Sequence, residues 1–112
     1  HMLAPITPSA STCCDSLALL QPGKQTLPIL LQQLQGVLTA PDTRVFEAMQ
    51  QLFMFLKVVV EPGGAIGLAA VLENPTFFSG KTVGIVLSGG NVDAALFSEA
   101  LKPLVSKLPA SV

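Results

Sequence analysis

The chain has 112 residues, half of them hydrophobic and only 12% charged, with a net charge of −1 and one histidine; mean hydropathy is +0.62. One arginine and no tryptophan or tyrosine exclude a basic, aromatic-laced face for nucleic acid. The longest apolar run after Glu61 stops at Leu72, short of the roughly 20 residues that span a bilayer. A chain this size could bury roughly two thirds of its unfolded surface, enough for one modest core, and its apolarity points to a surface that meets another chain or belongs inside a larger protein. Cys13 and Cys14, adjacent and alone, provide neither a disulfide framework nor a metal site by spacing, and the N-terminus lacks a signal-peptide pattern. A cytoplasmic location is therefore expected.

In chain order, His1-Met2 reads as a tag remnant and is set aside. Residues 3–23 carry three prolines and clusters of Ser and Thr, the composition of an irregular segment, with local order expected between Cys13 and Leu20 and an Asx-type turn at Asp15. Residues 24–112 form the folded part. Pro28 suits the first turn of a helix to about Leu34, with Leu27, Leu30, Leu31 and Leu34 on one face. Gly36 ends it, and Val37-Leu38-Thr39 is a short strand candidate. Asp42 begins a stronger helix with Val45, Ala48, Met49, Leu52 and Leu56 on one stripe, widened by Phe46, Phe53 and Met54.

Lys57-Val58-Val59-Val60, a second strand candidate, leads into Glu61, Pro62 and a helix from about Gly63 to Leu72 that is apolar all round and should be buried. Gly63 and Gly67 give it one smooth side. Residues 73–79 read as a loop. Then Val83, Ile85, Val86 and Leu87 follow one another without polar alternation, as in a strand covered on both faces of a parallel sheet. This run stops in Ser88-Gly89-Gly90-Asn91, and a final helix runs from Val92 toward Lys107, with Pro103 expected to kink or end it. The expected fold is α/β: a small parallel sheet of two or three strands covered by about four helices.

In an open α/β sheet ligands bind beyond the carboxyl ends of strands, which places residues 88–91 where a site belongs. A phosphate cradle at the helix start is disfavoured by Asp93, expected in the first helical turn, and by the lack of a P-loop lysine. A neutral partner for the Ser88 hydroxyl fits better. The plain reading, a tight βα connection capped by Asn91, stands beside it at these four residues.

Taken together, Glu61-Pro62-Gly63-Gly64-Ala65 and Val86-Leu87-Ser88-Gly89-Gly90-Asn91-Val92-Asp93, with Ser11-Thr12-Cys13-Cys14-Asp15-Ser16-Leu17, Pro22-Gly23 and Lys57-Val58-Val59-Val60 upstream, resemble the C-terminal part of the pyridoxal-phosphate-dependent threonine and serine dehydratases and their relative serine racemase. The resemblance covers about residues 11–93 and implies a fragment of the large cofactor-binding domain of a three-layer fold. It implies that Ser88 meets the pyridine nitrogen, with Gly89 beside it. It also implies that Glu61 lies near the pyridine ring and that Asp15 and Ser16 pass the cofactor, Ser16 standing where the family has glycine. The Schiff-base lysine in its serine-x-lysine-x-arginine-glycine motif, the glycine-rich phosphate loop and the acidic metal residues of the family are not found in this sequence. Inactivity alone, no catalytic residue and no metal, and no cofactor bound by this chain by itself, are the corresponding expectations. A small α/β module that acts only by self-association is the competing class.

Overall fold

A computed structural model describes residues 12–105, with the side chains of Leu104 and Val105 set aside. The tag remnant, residues 3–11 of the irregular segment and the expected fraying at 108–112 lie outside the described residues. A one-turn 3-10 helix, Asp15–Leu17, comes first. Five helices follow: α1 (Thr26–Gln33), α2 (Asp42–Gln51), α3 (Pro62–Glu73), α4 (Pro75–Phe78) and α5 (Ala94–Val105).

The core is built where the stripe on α2 predicted it. Val45, Ala48, Met49 and Leu52 are buried, at the i, i+3, i+4, i+7 spacing that puts four side chains on one helix face. They pack with Ala65 and Ala69 of α3, Ala100 of α5, Val60 and Cys14. Polar contacts fix the arrangement at its edges. Arg44 Nε donates to Glu73 Oε2 at 2.8 Å, joining the start of α2 to the end of α3, and Gln50 Nε2 donates to the Ala100 carbonyl at 2.7 Å, joining α2 to α5. Phe53 and Phe97 meet edge to face at 5.6 Å, a favoured geometry for aromatic quadrupoles.

Leu56 leaves the stripe. Beyond Gln51 the helix widens into a π turn, Leu52–Leu56, closed by Lys57 at φ 59°. The extra residue per turn rotates later side chains off the 3.6-residue face, and Leu56, Met54 and Phe55 are exposed. The α1 stripe is also uncovered: Leu30, Leu31 and Leu34 are exposed, and no residue of α1 is buried. Helix α3 has Pro62 at its first position, where the missing N–H costs nothing, and Asn74 caps its far end by donating from Nδ2 to the Ala70 carbonyl at 2.9 Å. The segment expected as a loop after Leu72 contains the four-residue α4. Helix α5 continues two residues past Pro103; the proline removes its own N–H but does not end the helix.

The described residues do not confirm the expected sheet. Among the described residues no strand is assigned, and neither residues 37–39, 57–60 nor 83–87 build a ladder. A strand exists through its partner's backbone, and the one backbone bond near the second and third of these segments, from Glu61 N–H to the Gly89 carbonyl at 3.1 Å, lies just beyond both. The central run is correspondingly bare: Val86 is 82% exposed, and Val83 and Leu87 are also exposed. With Leu52, Leu56 and Leu68, Ile85 and Leu87 line an apolar cleft of about 250 Å³.

Candidate functional site

The two motifs separated by a quarter of the chain meet at the N-terminus of α3. Glu61 precedes Pro62, and its carbonyl accepts from Gly64 N–H and Ala65 N–H, both at 3.0 Å, which starts the helix. Its side chain makes no capping bond. Instead the carboxylate lies against Gly89, so closely that a Cβ on Gly89 would stand 2.5 Å from Glu61 Oε1. The Glu61 N–H in turn donates to the Gly89 carbonyl at 3.1 Å. The glycine of the Ser88 turn is thus held between the carboxylate and the amide of one residue, a contact that a side chain would obstruct.

Asp15 and Ser16 reach the same corner by a different route. Asp42 Oδ1 accepts from Thr12 Oγ1 at 2.8 Å and Oδ2 from Cys13 N–H at 2.9 Å, pinning the N-terminal segment to the start of α2. Asp15 Oδ1 accepts from the next residue's amide, Ser16 N–H, at 2.7 Å, one residue short of the expected Asx-turn bond. Ser16 Oγ occupies the space a Cβ on Gly63 would need. The Ser16 side chain is therefore accommodated by a glycine on the facing helix.

A cleft of about 380 Å³ opens beside this corner, lined by Asp15, Glu61, Pro62, Asn91, Val92, Asp93 and Leu96. Ser88 and Gly89 are not among its lining residues. Ser88 is exposed, and its hydroxyl has no hydrogen-bond partner among the described residues. Asp93 stands just before α5 rather than within its first turn, and its carbonyl accepts from Phe97 N–H at 2.9 Å. Sequence reading singled out Asp93 and Asn91 only as helix-start residues, and it missed the anchoring role of Asp42. An aspartate opening a helix was the available signal for it.

Three carboxylates and no cation line the cleft, so it repels phosphate. No described lysine lines it. Lys57 Nζ donates to the Met54 carbonyl at 2.7 Å, Lys81 lies 3.9 Å over the Phe77 ring, and Lys102 pairs with Glu99. The residues lining the cleft therefore do not fit a phosphate.

Cys13, Cys14 and Asp42 each bring one potential ligand atom within 4.8 Å of the others, a grouping their spacing did not predict. Burial, then the charges of Cys14 and Asp42, push the Cys13 thiol up to about 12, and burial raises Cys14 as well. The Asp42 carboxyl is held low, first by the Cys13 N–H and then by the Thr12 hydroxyl, against the opposing effect of its partial burial. The cluster is therefore protonated at its sulfurs near neutrality, with the carboxylate already occupied by the N-terminal segment.

Comparison with known proteins matches residues 3–89 to the family described as pyridoxal-phosphate dependent enzyme. Serine racemase of Arabidopsis thaliana is 41% identical over 100 residues, which is 85% of this chain and 30% of that protein. L-threonine ammonia-lyase of Thermotoga maritima is 33% identical over 90 residues, 80% of this chain and 22% of that one. Among solved structures, the threonine deaminase of T.th. superposes with a TM-score of 0.74 at 39% identity, over 80% of this chain and 32% of that chain. The chain spans less than a third of the length of these relatives. The family match takes in both halves of the Glu61–Gly89 contact, and the chain belongs to the pyridoxal-phosphate dependent enzymes.

Proposed function

We propose that this chain is the C-terminal segment of a pyridoxal-phosphate-dependent dehydratase of hydroxyl amino acids, an α/β ammonia-lyase working by β-elimination, and that it is inactive by itself. The observation that carries the reading is the clasp between Glu61 and Gly89, which places the carboxylate and the Ser88 turn of two distant motifs side by side. When bound, pyridoxal phosphate supplies an electron sink for the reacting amino acid. In the complete protein Ser88 offers its exposed hydroxyl to the pyridine nitrogen and Gly89 lets the backbone approach the ring. Glu61 holds its carboxylate near the ring edge, and Asp15 and Ser16 border the same space. A neutral hydroxyl leaves the ring nitrogen largely unprotonated, a milder sink than a carboxylate partner gives, which suits elimination. Phosphate and Schiff-base contacts come from elsewhere in that protein.

A second reading, a cytoplasmic module that acts by self-association, draws on the uncovered apolar side chains of α1, of the π turn and of residues 83–87. Release of keto acid from threonine and serine, with added cofactor, tests the first. No turnover above free cofactor is expected from the isolated chain. Turnover well above it, lost in Ser88→Ala, would overturn the fragment reading.

A further inference from the structure

The Ser88 turn packs through glycines against α3 on one side and against the segment before it on the other. A Cβ on Gly64 would stand 2.6 Å from the Gly89 carbonyl oxygen and 3.1 Å from the Gly89 nitrogen; a Cβ on Gly90 would stand 2.8 Å from the Val59 carbonyl oxygen. Real Cβ atoms do not approach backbone oxygens this closely, and backbone on both sides leaves no flexible end to swing away. Gly67, one turn further along the same helix, differs: its Cβ would meet only Ile85 Cγ2, at 3.0 Å.

We infer that Gly64 is a positioning residue for Ser88: its bare Cα lets the first turn of α3 seat directly on the Gly89 peptide, which fixes the Ser88 turn relative to Glu61. Adding a methyl group at 64 drives Gly89 off the helix, stretches the bond from Glu61 N–H to the Gly89 carbonyl and displaces Ser88. Adding one at 67 presses on the end of a half-buried isoleucine and leaves the turn in place. The contact stands on the geometry of this chain, whereas its importance for the ring nitrogen rests on the proposed function.

Amide resonances and hydrogen exchange of the isolated chain, without cofactor or substrate, test the contact separately from that function. Gly64→Ala is expected to move the resonances of Glu61 and residues 88–91 and to speed exchange of the Glu61 amide at least tenfold. Gly67→Ala should leave both as in the unaltered chain, although the two variants make the same change in one helix. A folded Gly64→Ala with these amides unmoved overturns the inference. So does restoration of the spectrum by adding Val60→Ala, because Val60 Cγ1, at 2.8 Å from the same Cβ position, would then be the obstacle instead of Gly89. Should Gly64→Ala not fold, the unaltered chain decides: a protected Glu61 amide supports the contact, and exchange at the unprotected rate refutes it.

Discussion

Removing the Asp42 carboxylate should release the segment that carries Asp15 and Ser16 while leaving the α2–α3 core in place. Two hydrogen bonds are lost in Asp42→Ala, from Thr12 Oγ1 at 2.8 Å and from Cys13 N–H at 2.9 Å. A hydrogen bond to a charged acceptor contributes about 1.5–3 kcal/mol, and an exposed one much less. Thr12 is exposed and Cys13 half-buried, so the second bond dominates and the anchoring is worth about 2 kcal/mol. That corresponds to about 30-fold faster exchange at residues whose protection depends on the anchor, since 1.4 kcal/mol is tenfold. Leu17 N–H, bonded to the Cys14 carbonyl at 3.0 Å, is the reporter. Asp42→Asn keeps one carbonyl acceptor and should lose about half as much. The pH dependence has a definite sign. The folded chain holds the Asp42 carboxyl low, so its contribution is fully present above the unfolded value, about 3.9. It is lost as pH falls through the lower folded value, because protons then bind the unfolded state first. Asp42→Asn should remove that part of the acid sensitivity. Unchanged exchange at residues 13–17 in Asp42→Ala, with unchanged acid unfolding, would refute the anchoring argument.

Met49→Ala empties a position with no exposed surface and should cost about 2–5 kcal/mol, read from the denaturant midpoint; Phe55→Ala, at a site 76% exposed, should stay within about 0.5 kcal/mol. Alkylation of Cys13 at pH 8 should be about a thousandfold slower in the folded chain than in denaturant, because its thiol is raised from 9.0 to about 12 and only the thiolate attacks; equal rates would show that the thiol is not held protonated. Light scattering across a dilution series should show concentration-dependent association through the exposed apolar faces, and a compact monomer at high concentration would count against it.

The α2 stripe and the Pro62 helix start were legible in the sequence because each depends on local spacing, whereas the Glu61 and Ser88 motifs were linked only through the family resemblance. Val45, Ala48, Met49 and Leu52 need only a helix to share a face, and Pro62 needs only its own ring to prefer the first position. The sheet was not decided that way. Residues 83–87 have the composition of a buried strand, but a strand is defined by a neighbour's N–H and C=O groups, and among the described residues only Gly89 bonds across to Glu61. Nor could spacing show that the α2 helix widens at residue 52, turning Leu56 outward. The seating of Gly89 on Gly64, the shelter of Ser16 over Gly63 and the hold of Asp42 on Thr12 and Cys13 all join residues about 25 to 50 positions apart. Such contacts turn on tenths of an ångström between backbones, a quantity that no one-dimensional pattern carries and that tertiary packing alone sets.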